Sequence, residues 1–295
     1  MILNVSGRTD VVAFYSEWFM NCYKKGFIDV RNPFNPKLIS RISFDNVDLI
    51  VFCTKNPLPI MPYLKEINIP FLFQITLTPY HHDIEPNVIN KTILIDKIKE
   101  LSLLIGYDKL TIRYDPIFIN DKYTIDYHIK AFNKLCKYLN GYVNRILISF
   151  IDSYKNVNKH FNELQYKELT ELDYKKIGES FSLAAKENNI EVFTCGEERN
   201  LTEYGFVKDD CVPIKKVYEI TGKLFPKWKS RKNINCNCSL MVDIGVYNTC
   251  MHYCKYCYAN FNEDEIHNNI KNHDPNSSLL IGKIKEEDII KERFK

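Results

Sequence analysis

The sequence predicts an α/β fold of repeated βα units around a parallel sheet, a partial TIM-like (βα)6-8 barrel, and three observations carry that reading. Short runs of Val, Ile, Leu and Phe recur along the chain, and near-continuous apolar strands of this kind suit a sheet covered on both faces. Segments with helical periodicity alternate with these runs, which implies βαβ units. The residues that follow the strands are conspicuously polar, as they are where a parallel barrel carries its active-site loops.

Taken in order, strands are expected at 2–5, 49–53, 71–77, 110–114, 146–151, 191–194 and 241–246. Helices are expected at 11–25, 61–66, 90–105, 124–139, 173–188 and, less clearly periodic, 214–222. Tyr15, Trp18, Phe19 and Tyr23 form an aromatic stripe on the first helix at the spacing of a core-facing surface. The stretch 30–43, with Pro33 and Pro36, reads as a hairpin or a loop excursion. Gly106 is a helix stop, and Thr124 precedes a helix that carries Ile125, Tyr127, Ile129, Phe132 and Leu135. The strand ends read Ser6-Gly7-Arg8-Thr9-Asp10, Thr54-Lys55-Asn56-Pro57, Thr76-Leu77-Thr78-Pro79, Arg113-Tyr114-Asp115-Pro116, Asp152-Ser153 and Cys195-Gly196-Glu197-Glu198-Arg199. Each alone is a cap or turn; several on one rim would make a site. Residues 1–223 are read as the repeat units. Residues 224–295 are read as a cysteine-rich end with the last barrel strand, integrated with them into one domain.

The 295 residues suffice to bury a core without disulfides. A hydrophobic fraction of 45%, a charged fraction of 26% and a net charge of +3 argue against wholesale disorder and against a strongly basic nucleic-acid binder. No run approaches the ~20 apolar residues of a membrane span, and the first residues carry no secretory pattern, so a cytoplasmic protein without membrane contact is expected. Cysteine use is the anomaly: seven of ten fall at or after position 195. In a reducing compartment such clusters are metal ligands or redox groups more often than disulfides. Cys22, Cys53 and Cys136, in apolar surroundings, are expected as small buried hydrophobes.

Cys250, Cys254 and Cys257 have the spacing C-x3-C-x2-C close behind the strand at 241–246. Three thiolates on one compact loop suit three corners of a cubane cluster, leaving one iron open. A zinc knuckle that recruits His252 or a fourth cysteine is the plainer alternative. The remaining cysteines of the C-terminal third, Cys195, Cys211, Cys236 and Cys238, number what a closed tetrahedral site requires, whether a second [4Fe-4S] cluster or zinc, against the alternative of no metal. Cys236 and Cys238 share one side if extended.

C-x3-C-x2-C with Tyr256 just ahead of the third cysteine resembles the signature of the radical S-adenosylmethionine (SAM) superfamily. The resemblance implies that Cys250, Cys254 and Cys257 hold a [4Fe-4S] cluster whose open iron chelates SAM, and that Tyr256 contacts the adenine through its backbone. It further implies an enzyme: one-electron cleavage of SAM, fed by an external low-potential donor, to methionine and a 5′-deoxyadenosyl radical that abstracts hydrogen from a substrate the sequence does not name. In that superfamily the cysteine loop follows the first strand, whereas here about six βα units precede it, so the resemblance implies a circularly permuted barrel with 241–246 as the usual first strand and 2–5 as the second. Gly7 and Asp10 then occupy the place that binds the methionyl amine. Thr54-Lys55-Asn56-Pro57 and Arg113-Tyr114-Asp115-Pro116 are similar to pieces of the spore photoproduct lyase-like branch, which implies that Arg113 lies near the SAM carboxylate. Over nearly its full length the chain resembles a bacterial family known as domain of unknown function 1848.

Three further features are weighed against plainer readings. His81-His82 suits a solvated pair better than a metal site. Trp228 with Lys227, Lys229, Arg231 and Lys232 suits a solvated connector, although it supports a competing function, a zinc- or cluster-stapled, non-catalytic nucleic-acid-binding protein. Repair of a DNA photolesion is a subsidiary idea about substrate, and the near-neutral charge argues against tight duplex binding.

Overall fold

The structure, a computed structural model, describes residues 1–151, 161–194, 197, 199–227 and 238–294, with only the backbone at 161–162. Asp152-Ser153, Cys195, Gly196, Glu198, Trp228, Lys229, Arg231, Lys232 and Cys236 lie outside the described residues. The chain is mixed α/β, and eight strands pair in parallel with their sheet neighbours. Among the described residues no helix is long and apolar enough to cross a membrane. Two compact units make up the chain, and the cysteine-rich end contributes to both.

The first unit comprises 1–72, 241–251 and 259–295. Its strands β1 (Ile2–Val5), β4 (Leu49–Thr54) and β10 (Met241–Asp243) run in the order β10-β1-β4. Ile2 pairs with both Met241 and Leu49, and Asn4 with Asp243. The first and last thirds of the chain thus meet as adjacent parallel strands. β2 (Phe27–Asn32) and β3 (Asn35–Ser43) form an antiparallel hairpin, the first of the two alternatives for that stretch, and β11 (Ile289–Glu292) adds to β3 in parallel. Arg41 grips the buried Asp29 across the hairpin with two hydrogen bonds of 2.9 Å.

Two expectations change here. The helix foreseen over 11–25 is two, Val11–Phe14 and Ser16–Lys25, because Tyr15 leaves helical backbone (φ −134°, ψ 26°) and its hydroxyl donates to the Thr249 carbonyl at 2.7 Å. The stripe is otherwise core: Trp18 and Phe19 are fully buried, and Phe19 meets Phe44 and Phe52 edge-on. The last strand stops at Asp243 rather than running to 246, since its carboxylate turns back to accept the Gly245 N–H at 2.8 Å.

The second unit comprises 73–240 and 252–258. β5 (Phe71–Thr76, its first two residues in the other unit), β6 (Leu110–Ile117), β7 (Arg145–Phe150), β8 (Glu191–Thr194) and β9 (Val207–Lys208) follow one another in that order. Helices Lys91–Ile105, Ile125–Leu139 and Glu171–Glu187 connect them, started by the side chains of Asn90, Thr124 and Thr170, the last in a capping box with Asp173. Phe132 and Phe181 stack face to face at 3.8 Å between the second and third of these helices. β6 runs past its expected end at 114 through a register irregularity between Tyr114 and Ile117, so Asp115 is a strand residue like Arg113 and not a loop residue.

His128 shows how tightly this unit is packed. It is fully buried: its Nε2–H donates to the Phe118 carbonyl at 2.9 Å, which leaves Nδ1 to accept from the Tyr114 hydroxyl at 3.0 Å. Burial pushes its pKa down to about 4 from the ordinary 6.5. The folded state therefore favours neutral imidazole. The stability this supplies is complete above pH 6.5 and is lost as pH falls toward 4, where the unfolded chain takes up the proton first; the gap corresponds to roughly 3 kcal/mol. Urea unfolding of a His128→Asn chain should accordingly show a shallower loss than the parent between pH 6.5 and 4, and parallel pH profiles would refute this assignment.

Candidate functional site

In the first unit the carboxyl ends of β10, β1 and β4 carry a polar set organised by Asp243. Its carboxylate accepts from Asn4 Nδ2 at 2.8 Å, Ser6 Oγ at 3.0 Å, Gly7 N at 2.6 Å and Gly245 N at 2.8 Å. Ser6 Oγ in turn accepts from the backbone of Arg8 at 3.0 Å and Thr9 at 3.4 Å. This arrangement demands glycine at 245, because a Cβ there would lie 1.9 Å from Ser6 Oγ. Ser6 cannot swing aside without giving up its bonds to Asp243, Arg8 and Thr9. Gly245→Ala is expected to cost about 1–3 kcal/mol by overpacking, read as a lower denaturation midpoint. Adding Ser6→Gly should then cost less than the two single changes summed, whereas strict additivity would show that the contact does not matter.

Gly7 and Asp10 thus sit at this rim, but in positions the sequence did not reveal. The Gly7 N–H is given to Asp243, and the Asp10 oxygens accept the backbone N–H groups of Ala13 at 2.9 Å and Lys55 at 2.7 Å, so Asp10 starts a helix and holds the loop after β4. Cys53 departs from its expected place in the core. It is half-buried and donates to Asn4 Oδ1 at 3.3 Å, because Asn4 opens a polar edge beside the end of β4. Cys22 and Cys136 do behave as core thiols, and burial pushes both pKa values to about 12.

The cysteine loop begins in this unit. Cys250 is buried, and its carbonyl accepts from Asn260 Nδ2 at 2.6 Å. Asn248, at φ 53°, ties the loop ends: its N–H reaches the Ala259 carbonyl, and its Oδ1 accepts from Phe261 N at 2.8 Å. Two polar atoms here, Asn260 Oδ1 and Thr9 Oγ1, are buried without a hydrogen-bond partner among the described residues.

The second unit holds the rest of the loop. Cys254, buried, and Cys257, half-buried, pack in an aromatic cluster with Tyr80, Phe118, Tyr123 and Tyr256. Backbone bonds fix the loop in place: Lys255 N to the Ile84 carbonyl at 3.0 Å, Cys257 N to the Cys254 carbonyl at 3.0 Å, and Asn87 N to the His252 carbonyl at 3.2 Å. His252 turns Nδ1 toward the Asn87 carbonyl, 3.4 Å away. The side chain of Tyr256 is the anchor. Burial pushes its phenol well above the ordinary range, so it stays protonated and donates to Glu85. Glu85 is fully buried and also accepts from Thr78 Oγ1 at 2.7 Å and from the Lys91 ammonium.

Arg113, on β6, is held from two sides: Nε lies 3.2 Å from both Asp115 oxygens, and Nη1 donates to Gln74 Oε1 at 2.9 Å. Gln74 passes the chain on, donating through Nε2 to the Cys211 carbonyl at 2.6 Å, and Cys211 Sγ lies 3.0 Å from Cys238 Sγ. His81 and His82 are exposed, with His81 Nε2 3.1 Å from the Tyr127 hydroxyl. Within neither unit do three or more His, Cys, Asp or Glu side chains among the described residues already form a metal cage. The donors nevertheless fit a soft metal or an iron-sulfur cluster, since thiolates on a dry aromatic wall are the ligands such groups take.

Residues 2–259 match the family described as Domain of unknown function (DUF1848). No curated protein and no solved structure matches the chain.

Proposed function

We propose, from the premise that this chain belongs to the family described as Domain of unknown function (DUF1848), that it is a radical SAM enzyme whose [4Fe-4S] cluster is held by Cys250, Cys254 and Cys257. The observation that carries the reading is the cysteine loop of the second unit. Cys254 and Cys257 sit on an aromatic wall, and the loop between them is fixed by Tyr256 on Glu85 and by Lys255 on Ile84. A purely structural turn needs no buried phenol–carboxylate anchor, whereas an open-site cluster needs its ligands held while one position exchanges. With cluster and SAM bound, the chemistry supplied is one-electron reductive cleavage of SAM, fed by an external low-potential donor, to methionine and a 5′-deoxyadenosyl radical that takes hydrogen from the substrate.

The chain's own residues orient and exclude. Tyr256, with its side chain buried, leaves its backbone to meet the adenine. Arg113, aligned by Asp115 and Gln74, is assigned to the SAM carboxylate by charge-assisted hydrogen bonding. Gly7 and Asp10 are assigned to the methionyl amine. The aromatic cluster keeps water from the thiolates. The finer fold belongs to the same proposal: a circularly permuted barrel, supported by the parallel pairing of β10 with β1. So does a cytoplasmic location, since clustered thiols kept for metal ligation suit a reducing compartment. The nucleic-acid reading centres on Trp228 and basic neighbours that lie, except for Lys227, outside the described residues; no described feature favours it.

Electron paramagnetic resonance of the anaerobically reconstituted, reduced protein tests the reading. A cluster signal that changes on adding SAM is expected. A signal indifferent to SAM would remove the open coordination site and the proposal with it.

A further inference from the structure

Two cysteines that the C-x3-C-x2-C loop does not use, Cys211 and Cys238, are also brought together, and this goes beyond the radical SAM reading. Cys211 and Cys238 are 27 residues apart in sequence, yet their sulfurs lie 3.0 Å from each other. That is well beyond the ~2.05 Å of a disulfide bond and close enough for two ligands of one metal centre. The pair is built into the fold. The Ser239 N–H donates to the Val212 carbonyl at 3.2 Å, laying the two segments side by side, and Gln74 grips the Cys211 carbonyl from β5. Cys238 is 3% exposed.

The pair also lies at a strand terminus. Thr194, the last residue of β8, is in register with Lys208 of β9, three residues before Cys211, and its carbonyl accepts from Asp209 N. In sequence, Cys195 follows Thr194 and Cys236 precedes Cys238 by two. Both lie outside the described residues, so the assignment stands on the Cys211–Cys238 pair.

We infer that Cys211 and Cys238 are ligands of a second thiolate metal centre, zinc or an iron-sulfur cluster, coupled through Gln74 to the Arg113 side chain. It shares no ligand with the first centre. The test is metal and acid-labile sulfide content of the full chain carrying C250A, C254A and C257A. One zinc, or about four irons with matching sulfide, should remain, and the two arms distinguish the sources. Adding Cys211→Ser and Cys238→Ser should lower that metal at least tenfold. A parent without metal, or metal unchanged by the two serines, would overturn the inference.

A measurement on the unsubstituted chain guards against a failure to fold. Cys211 and Cys238 should alkylate at least tenfold faster after chelation than before, while Cys22 and Cys136, protected by burial alone, should not change. Equal rates before and after chelation, or a disulfide between Cys211 and Cys238 by mass spectrometry, would also overturn it. Because the first centre's cysteines are absent from the metal assay, failure of the radical SAM reading leaves its outcome unaffected.

Discussion

Cys254→Ala is expected to abolish 5′-deoxyadenosine formation and to lower iron content by about four atoms per chain, while the fold survives. Cys254 is buried in one cluster with Tyr80, Phe118 and Tyr256, so alanine leaves only a small gap there. The loss of packing should amount to about 1–2 kcal/mol. Strands β5 to β8 and their capped helices do not depend on this sulfur, and circular dichroism should remain that of the parent. The loss is chemical and not structural: two thiolates cannot hold the cluster with one exchangeable iron. A variant that still makes 5′-deoxyadenosine at a tenth of the parental rate or more would show that Cys254 is no ligand.

The second large effect is expected at Glu85, a residue with no part in the motif. Glu85→Ala removes the acceptor of two buried hydroxyls, Thr78 Oγ1 and Tyr256 OH, and the counter-charge of Lys91. Breaking a buried ion pair by deleting one partner costs about 3–5 kcal/mol. The lower end applies here, since the Lys91 side chain, 27% exposed, can reach water. With Tyr256 no longer anchored, the loop from Cys254 to Cys257 loses its principal side-chain hold. The variant should therefore both melt earlier and retain less iron after reconstitution. Glu85→Gln keeps an acceptor for the hydroxyls and should fall between the two. Unchanged iron retention in Glu85→Ala would separate this carboxylate from the metal site, whatever its effect on stability.

Much of the fold was legible because its signals are local. The apolar runs at 2–5 and 191–194 are strands to the residue, and Asn90, Thr124, Gly106 and Gly222 mark helix ends as their chemistry requires. What escaped depends on distant partners. Tyr15 breaks its helix to reach Thr249, and β11, exposed throughout, forms against β3 without an apolar pattern of its own. Helix Glu263–Lys271 buries little besides Ile266, so its periodicity is faint.

The site divides in the same way. The cysteines announced themselves by spacing. Asp243 and Glu85 did not, because nothing in a sequence distinguishes an acid gripped by several donors from a solvated one until those donors are known. Those donors lie far along the chain: Ser6 is 237 residues from Asp243, and Tyr256 is 171 from Glu85. Gly245 could have raised suspicion as a glycine just past a strand, where close backbone approach is common.

The most direct test of the central claim is product analysis of the reconstituted chain incubated anaerobically with SAM and dithionite. The account predicts 5′-deoxyadenosine and methionine in equal amounts, dependent on the reductant and absent from Cys254→Ala. A protein that carries its full complement of iron and sulfide yet leaves SAM intact under these conditions would contradict it.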